Sequence, residues 1–218
     1  ASETSSRSTK LIHGGVRYLE QAFKKLDFAQ LKQVKHGLHE RRIVWQNAPH
    51  LARPLALLTP VSSWVEGLYY RIGLRLYDAI AGADTMPKSR WLNKRETIQR
   101  VPTLDPSVLH SSVLYYDGQL DDARYCLAIA QTAQQKGAIV LNYVSLVGFQ
   151  KNKARLEQAQ VKDELSGRIY HVKARYFLNC TGPYADAVRR MANPSLPNRL
   201  RPSKGVHVSL PLSVLNSD

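Results

Sequence analysis

Thr4-Ser5-Ser6-Arg7-Ser8-Thr9-Lys10-Leu11-Ile12-His13-Gly14-Gly15-Val16-Arg17-Tyr18-Leu19-Glu20 is the stretch on which the reading of the whole chain turns. Its first half is rich in hydroxyls, which suit loops and turns because they bond to their own backbone. The middle, His13-Gly14-Gly15, offers backbone without side chains, so a flat or charged ligand can come close. Arg17 and Tyr18 follow at once: a guanidinium that fits an anion, and a phenol beside it.

The bulk properties narrow the partners. With 218 residues the chain is one large domain or two small ones, long enough to bury a core. Apolar residues at 44% and charged residues at 22% are ordinary for a soluble globular protein. Lys and Arg total 31 against 17 acids, a formal +14, which implies attraction to nucleic acid, a lipid surface or phosphorylated small molecules. The basic residues are scattered and not interleaved with aromatics in an RNA-binding signature, so no nucleic-acid partner is expected. No apolar run approaches the ~18 to 20 residues of a membrane-spanning helix. No leader with a cleavage site is present, so a cytoplasmic protein is expected. Cys126 and Cys180 lack metal or redox spacing and read as reduced, partly buried thiols; no metal site is expected.

Along the chain, Asp27 caps a helix whose apolar positions are Leu31, Val34, Leu38 and Trp45, with Lys32, Lys35, Arg41 and Arg42 on the other face, ending at Asn47-Ala48-Pro49. An extended segment covers 54–60. A second helix covers about 63–81, with a stripe of Val65, Leu68, Tyr69, Ile72, Leu76 and Ile80. That stripe reads either as the core side of a packed helix or, with Trp64, Tyr69, Tyr70, Tyr77, Arg71 and Arg75, as an interfacial helix on an anionic lipid surface. Asn93 to Glu96 is a capping box. Val113 to Tyr116 is strand-like, and Asp117-Gly118 reads as a turn. Asp121 caps a third helix that Gly137 ends. Strands are expected at 138–141 and 144–149, the strand–helix–strand order suggesting a crossover onto a sheet shared with a missing N-terminal part, then an antiparallel meander over 151–175 turning at Gly167. A buried strand at 176–180, a helix at 185–192 and an alternating strand at 206–210 complete the reading.

The opening block resembles the flavin-contacting segment of the FAD-dependent glycerol-3-phosphate dehydrogenases, which carry a serine-rich S-K-L-I-H-G-G-x-R-Y-L run. Three further blocks follow in that family's order. Asp121-Asp122-Ala123-Arg124 is similar to its D-D-A-R. Asn179-Cys180-Thr181-Gly182-Pro183-Tyr184 is similar to N-A-T-G-P-W, with Cys and Tyr substituted. Lys204-Gly205-Val206-His207 is similar to K-G-S-H, with Val for Ser. The resemblance implies an α/β (α+β mixture) chain with an incomplete FAD/NAD(P)-binding Rossmann-like fold of the glutathione-reductase/amino-acid-oxidase type and an inserted antiparallel meander. Residues 1–50 and 105–192 would be the FAD-fold part, and 51–104 and 193–218 the substrate or cap part. No G-x-G-x-x-G occurs, so the chain is expected to be a fragment lacking its first βαβ unit and its C-terminal half.

In function, the resemblance implies oxidation of sn-glycerol 3-phosphate to dihydroxyacetone phosphate through FAD, with electrons passed to the quinone pool. The enzyme would be peripheral on the inner membrane and a possible homodimer. Arg17 would hold the substrate phosphate, Tyr18 would bond substrate beside it, and His207 would take the C2 hydroxyl proton. Ser5, Ser6, Ser8, Thr9, Lys10, Leu11, His13, Gly14, Gly15, Val144, Thr181, Gly182 and Lys204 would contact FAD. Because further phosphate-binding residues lie in the half not present, the polypeptide alone is expected to have no dehydrogenase activity and little FAD affinity. Two alternatives stand beside this reading: a glycerol-3-phosphate oxidase using O2, and a non-catalytic basic module binding lipid or nucleic acid.

Overall fold

The computed structural model describes residues 4–12, 27–81, 87–203, 205–206 and 208–215. The chain divides into two compact units, Ala1–Thr132 with Val208–Asp218, and Ala133–His207. Helix and sheet are mixed, as expected, and every strand pairing among the described residues is antiparallel.

The first unit is built on one strand, β4 (Ser111–Leu120). β2 (Ala52–Val61) pairs with it over its full ten residues, from Ala52↔Leu120 to Val61↔Ser111. The other edge of β4 is shared by β3 (Arg90–Asn93), at its beginning, and β1 (Leu11–Ile12), at its end, where Leu11 faces Gln119 and Ile12 faces Gly118. Pro54 and Pro60 sit in β2, which takes no partner beyond β4 among the described residues; an edge strand is where prolines cost no ladder bond. β4 continues straight through Asp117-Gly118, so the turn expected there does not form. The Asp117 carboxylate instead accepts from Arg41 Nη1 at 2.7 Å, with both side chains almost fully buried, and from the Gly118 N–H at 3.1 Å. Gly118 is needed because a Cβ there would lie 3.0 Å from the Ile12 carbonyl oxygen.

α1 (Phe28–Asn47) begins where its cap was expected, Asp27 accepting from the Ala29 and Gln30 N–H groups. Val34, Leu38 and Arg41 form its buried face. Arg41 thus leaves the solvent face on which it was expected, drawn in by Asp117. α2 (Trp64–Ala81) has the expected extent, and the described residues of its apolar stripe stand outward, against the packed-core reading of that stripe. Leu74 and Gly67 face inward, while Val65 and Ile72 stand 58% and 59% exposed, with Leu68 and Tyr69 exposed beside them. A Cβ at Gly67 would overlap the Trp91 ring, so this glycine sets how closely α2 lies on the sheet. The expectations for the Leu76 and Ile80 side chains fall outside the description. α3 (Lys94–Arg100) carries the capping box between Asn93 and Glu96, and its Thr97 hydroxyl meets Ser112 Oγ at 2.7 Å in the core. α4 (Asp122–Gln135) follows β4, and Gly137 ends it at φ +90.

The second unit is a meander, β5 (Val144–Asn152), β6 (Arg155–Asp163) and β7 (Ile169–Lys173), turning at Gly167 as expected (φ +73). The strand expected at 144–149 is its first member; the crossover expected from the strand–helix–strand order does not form among the described residues, because 138–141 is not a strand. α5 (Ala185–Ala192) packs on β5. The strands expected at 138–141 and 176–180 are irregular instead, as are the described residues 206 and 208–210 of the last expected strand; Ile139, Tyr176 and Leu178 are more than four-fifths exposed (88%, 83% and 88%). A strand exists only with a neighbour for its N–H and C=O groups, and the described residues supply none for these segments. Cys180 is exposed and Cys126 half-buried, both free thiols.

Candidate functional site

The serine-rich block is locked onto the start of α4. Residues Thr4–Ser6 form a single 3-10 turn, after which the Ser8 hydroxyl accepts from the Lys10 N–H at 3.0 Å. That turn puts Lys10 in the left-handed region at φ +61, costly for a residue with a Cβ unless the surroundings hold it there. They do. The Leu120 N–H donates to the Lys10 carbonyl at 2.8 Å, and β1 pairs with β4 immediately afterwards. Above all, Asp122 receives the Ser8 hydroxyl on one carboxylate oxygen, and the Lys10 ammonium with the Ala123 N–H on the other. Partial burial pushes the Asp122 carboxyl up, but the bonds from Lys10 and Ser8, with the lysine charge and the Ala123 N–H, outweigh it and hold it below the ordinary range.

Of the residues expected to contact FAD, Ser8 and Lys10 are therefore brought together, their side chains engaged by Asp122. Ser5 and Thr9 are exposed, Ser6 half-buried, and Leu11 lies on β1. The expectations for His13, Gly14, Gly15, Arg17, Tyr18, Lys204 and His207 fall outside the described residues.

In the second unit, the Thr181 hydroxyl donates to Asn179 Oδ1 at 2.7 Å, and Asn179 Nδ2 bridges to the Ala185 carbonyl. Gly182 stands at φ +56 with nothing within 4 Å of a would-be Cβ, opening a 3-10 turn that runs into α5. Asp186 fixes that helix from below. The Leu200 N–H bond, with the Arg189 guanidinium and the Arg199 N–H, outweighs partial burial and holds its carboxyl below the usual range. Val144 opens β5 and is exposed.

Taken unit by unit, the groups present suit a flavin dinucleotide in kind. In the first unit the exposed hydroxyls of Ser5 and Thr9 can bond ribityl or diphosphate oxygens, and in the second the left-handed backbone at Gly182 in an open turn can do so. Among the described residues no cluster of His, Cys, Asp and Glu could hold a metal ion.

Two features escaped the sequence. Asp122 is legible only as part of a short motif, because its partners lie more than a hundred residues away. A cavity of about 490 Å³ beside Lys10, lined also by His50, Arg53, Gln119, Asp121 and Arg124, is assembled from three separate stretches that carry no common pattern.

Comparison with known proteins agrees with this chemistry. The family model described as FAD dependent oxidoreductase matches residues 1–217. The chain is 43% identical to the mitochondrial glycerol-3-phosphate dehydrogenase of Homo sapiens over 217 residues, 97% of this chain and 30% of that protein. It is 42% identical to the mitochondrial glycerol-3-phosphate dehydrogenase SDP6 of Arabidopsis thaliana, covering 97% of this chain and 34% of the relative. Among solved structures, the glycerol-3-phosphate dehydrogenase from Bacillus halodurans complexed with FAD superposes with a TM-score of 0.61 at 27% identity, over 87% of this chain and 29% of that one. The chain thus spans about a third of the length of these relatives.

Proposed function

Because the chain belongs to the FAD-dependent oxidoreductase family, with the Rossmann-like fold and the FAD cofactor of that family, we propose that it is the part of a glycerol-3-phosphate dehydrogenase that oxidises sn-glycerol 3-phosphate to dihydroxyacetone phosphate. The observation that carries this reading is the 43% identity to such an enzyme sustained over 97% of the chain. Bound FAD supplies the acceptor for the hydride leaving C2 of the substrate.

The chain's own residues supply part of the site in this reading. Arg17 grips the substrate phosphate in bidentate fashion, and Tyr18 bonds to the substrate beside it. His207 takes the proton of the C2 hydroxyl. Gly14 and Gly15 let the backbone come close to the flavin, with His13 and Lys204 as further contacts. Ser5, Ser6, Thr9, the backbone of Lys10 and Leu11, Val144, and the Thr181-Gly182 turn face the cofactor. Residues 1–50 and 105–192 form the flavin-binding part in this reading, and 51–104 and 193–218 the substrate part.

Electrons then pass to the quinone pool, and the protein works in the cytoplasm as a homodimer peripherally bound to the inner membrane. No helix among the described residues is long and apolar enough to cross a membrane. The outward Val65, Leu68, Tyr69 and Ile72 of α2, flanked by exposed Arg71 and Arg75, support docking on an anionic lipid surface. The names of the relatives place them in mitochondria, so subcellular fractionation is the check on compartment.

The test is made on the full-length protein. A flavin absorption spectrum after purification, with glycerol 3-phosphate-dependent reduction of an artificial quinone that Arg17→Ala and His207→Ala both abolish, is the expected result. Peroxide formation without quinone reduction would replace the dehydrogenase with an oxidase. Absence of both flavin and turnover would overturn the reading.

A further inference from the structure

We propose that the cavity at the entrance to β2 is a binding site for a phosphate ester, held by Arg53, Arg124 and His50; this inference does not rest on the flavin reading. The cavity measures about 490 Å³. Its lining brings together Lys10, His50, Arg53 and Arg124 against one carboxylate among the described residues, Asp121.

The charges are not balanced by the protein. Lys10 is neutralised by Asp122, so it contributes little net charge. Neither Arg53, Arg124 nor His50 takes part in an ion pair among the described residues. Asp121 is engaged as the cap of α4, its Oδ1 accepting from the Arg124 N–H at 3.2 Å.

The two guanidiniums differ in how they are set. Arg53 stands opposite Gln119 in the β2–β4 register, and its Nε donates to Gln119 Oε1 at 2.7 Å. That bond fixes the root of the guanidinium and leaves the two terminal nitrogens for a ligand. Arg124 lies in the first turn of α4, where the helix dipole disfavours a cation. A positive residue in that position gives the helix nothing; together with the positive end of the helix it gives an anion a seat. Departures from a local stability rule are expected at functional or strained sites, and this one borders the cavity. Two arginines and an imidazole lining one cavity suit the chemistry of a phosphate, which can accept paired N–H bonds from a guanidinium. The ester can come from a soluble metabolite or from a lipid headgroup, since both present the same group.

The experiment titrates the full chain with inorganic phosphate while the Arg Nε–H signals are followed by NMR. Shifts of the Arg53 and Arg124 signals that saturate are expected. Arg53→Ala and Arg124→Ala should each weaken binding roughly ten-fold or more, while Arg42→Ala, on the exposed side of α1, should leave it unchanged. As a check independent of variants, phosphate should protect Arg53 and Arg124 of the unaltered chain from phenylglyoxal. Vesicles of phosphatidic acid in phosphatidylcholine, set against phosphatidylcholine alone, separate the sources. Capture by the former that the double variant loses assigns the site to lipid phosphate; phosphate binding without capture assigns it to a soluble ester. No saturable shift, or protection and binding that ignore both arginines, would overturn the proposal.

Discussion

Replacing Asp122 should release the serine-rich block from α4, and the size of the effect can be worked from its contacts. In Asp122→Ala three bonds go: from the Ser8 hydroxyl, the Lys10 ammonium and the Ala123 N–H. The carboxylate side chain is 16% exposed, but that of Lys10 is 38% exposed, so water screens the ion pair and its share is discounted to well under 1 kcal/mol. The other two bonds are only part-buried and count for about 1 kcal/mol each, which brings the total to about 2 kcal/mol. For a chain of this size that lowers Tm by about 4–8 °C. Asp122→Asn keeps an acceptor and should cost about half as much. Urea unfolding followed by circular dichroism measures the loss. Hydrogen exchange at the Leu120 N–H, which donates to the Lys10 carbonyl, reports whether the block has come away. The carboxyl is held below its ordinary range in the folded chain, so its stabilisation is complete above the unfolded carboxylate pKa of about 3.9 and fades as pH falls through the lower folded value. The difference between the unaltered chain and Asp122→Asn should therefore be full at neutral pH and vanish in acid. An unchanged urea midpoint together with unchanged Leu120 protection in Asp122→Ala would refute the reasoning.

Three further outcomes follow from the fold. Gly67→Ala should destabilise the chain by about 1–3 kcal/mol, because the new methyl meets the Trp91 ring; an unaltered Tm would show that α2 can shift without cost. Asp117→Asn or Arg41→Met should each cost about 3–5 kcal/mol by leaving a buried charge without its partner, whereas the double Arg41→Met/Asp117→Leu change should cost less than the sum, as a double-mutant cycle in urea would read. Arg71→Gln with Arg75→Gln should weaken binding to anionic vesicles by about 2 kcal/mol in total at low salt, with little effect on folding; sedimentation that is equal for both proteins would count against α2 as the docking face.

Much of the local structure is legible from short-range chemistry. Asp27, the Asn93–Glu96 box, Gly137 and Gly167 act through bonds to residues a few positions away, so the ends they set need no knowledge of the fold. What misled was every feature whose partner is distant. Asp117-Gly118 has the composition of a turn, yet Arg41 and the backbone of Ile12 hold it straight within β4. The stripe of α2 has helical spacing, but spacing cannot say which side meets the sheet; the small face at Gly67 approaches more closely and wins. Segments 138–141 and 176–180 have strand composition without a strand beside them among the described residues.

By itself the sequence determined the family of this protein, the positions of its helices and the chemical types gathered in the serine-rich and Thr181-Gly182 blocks. Those properties reside in residue identity and short spacing. Only the tertiary structure decided that Ser8 and Lys10 turn to Asp122, that Arg41 is buried, and that Arg53 and Arg124 converge on one cavity. A carboxylate more than a hundred residues along the chain competes for a lysine on equal terms with near neighbours once β1 and β4 have paired, and no local pattern records which of them it meets.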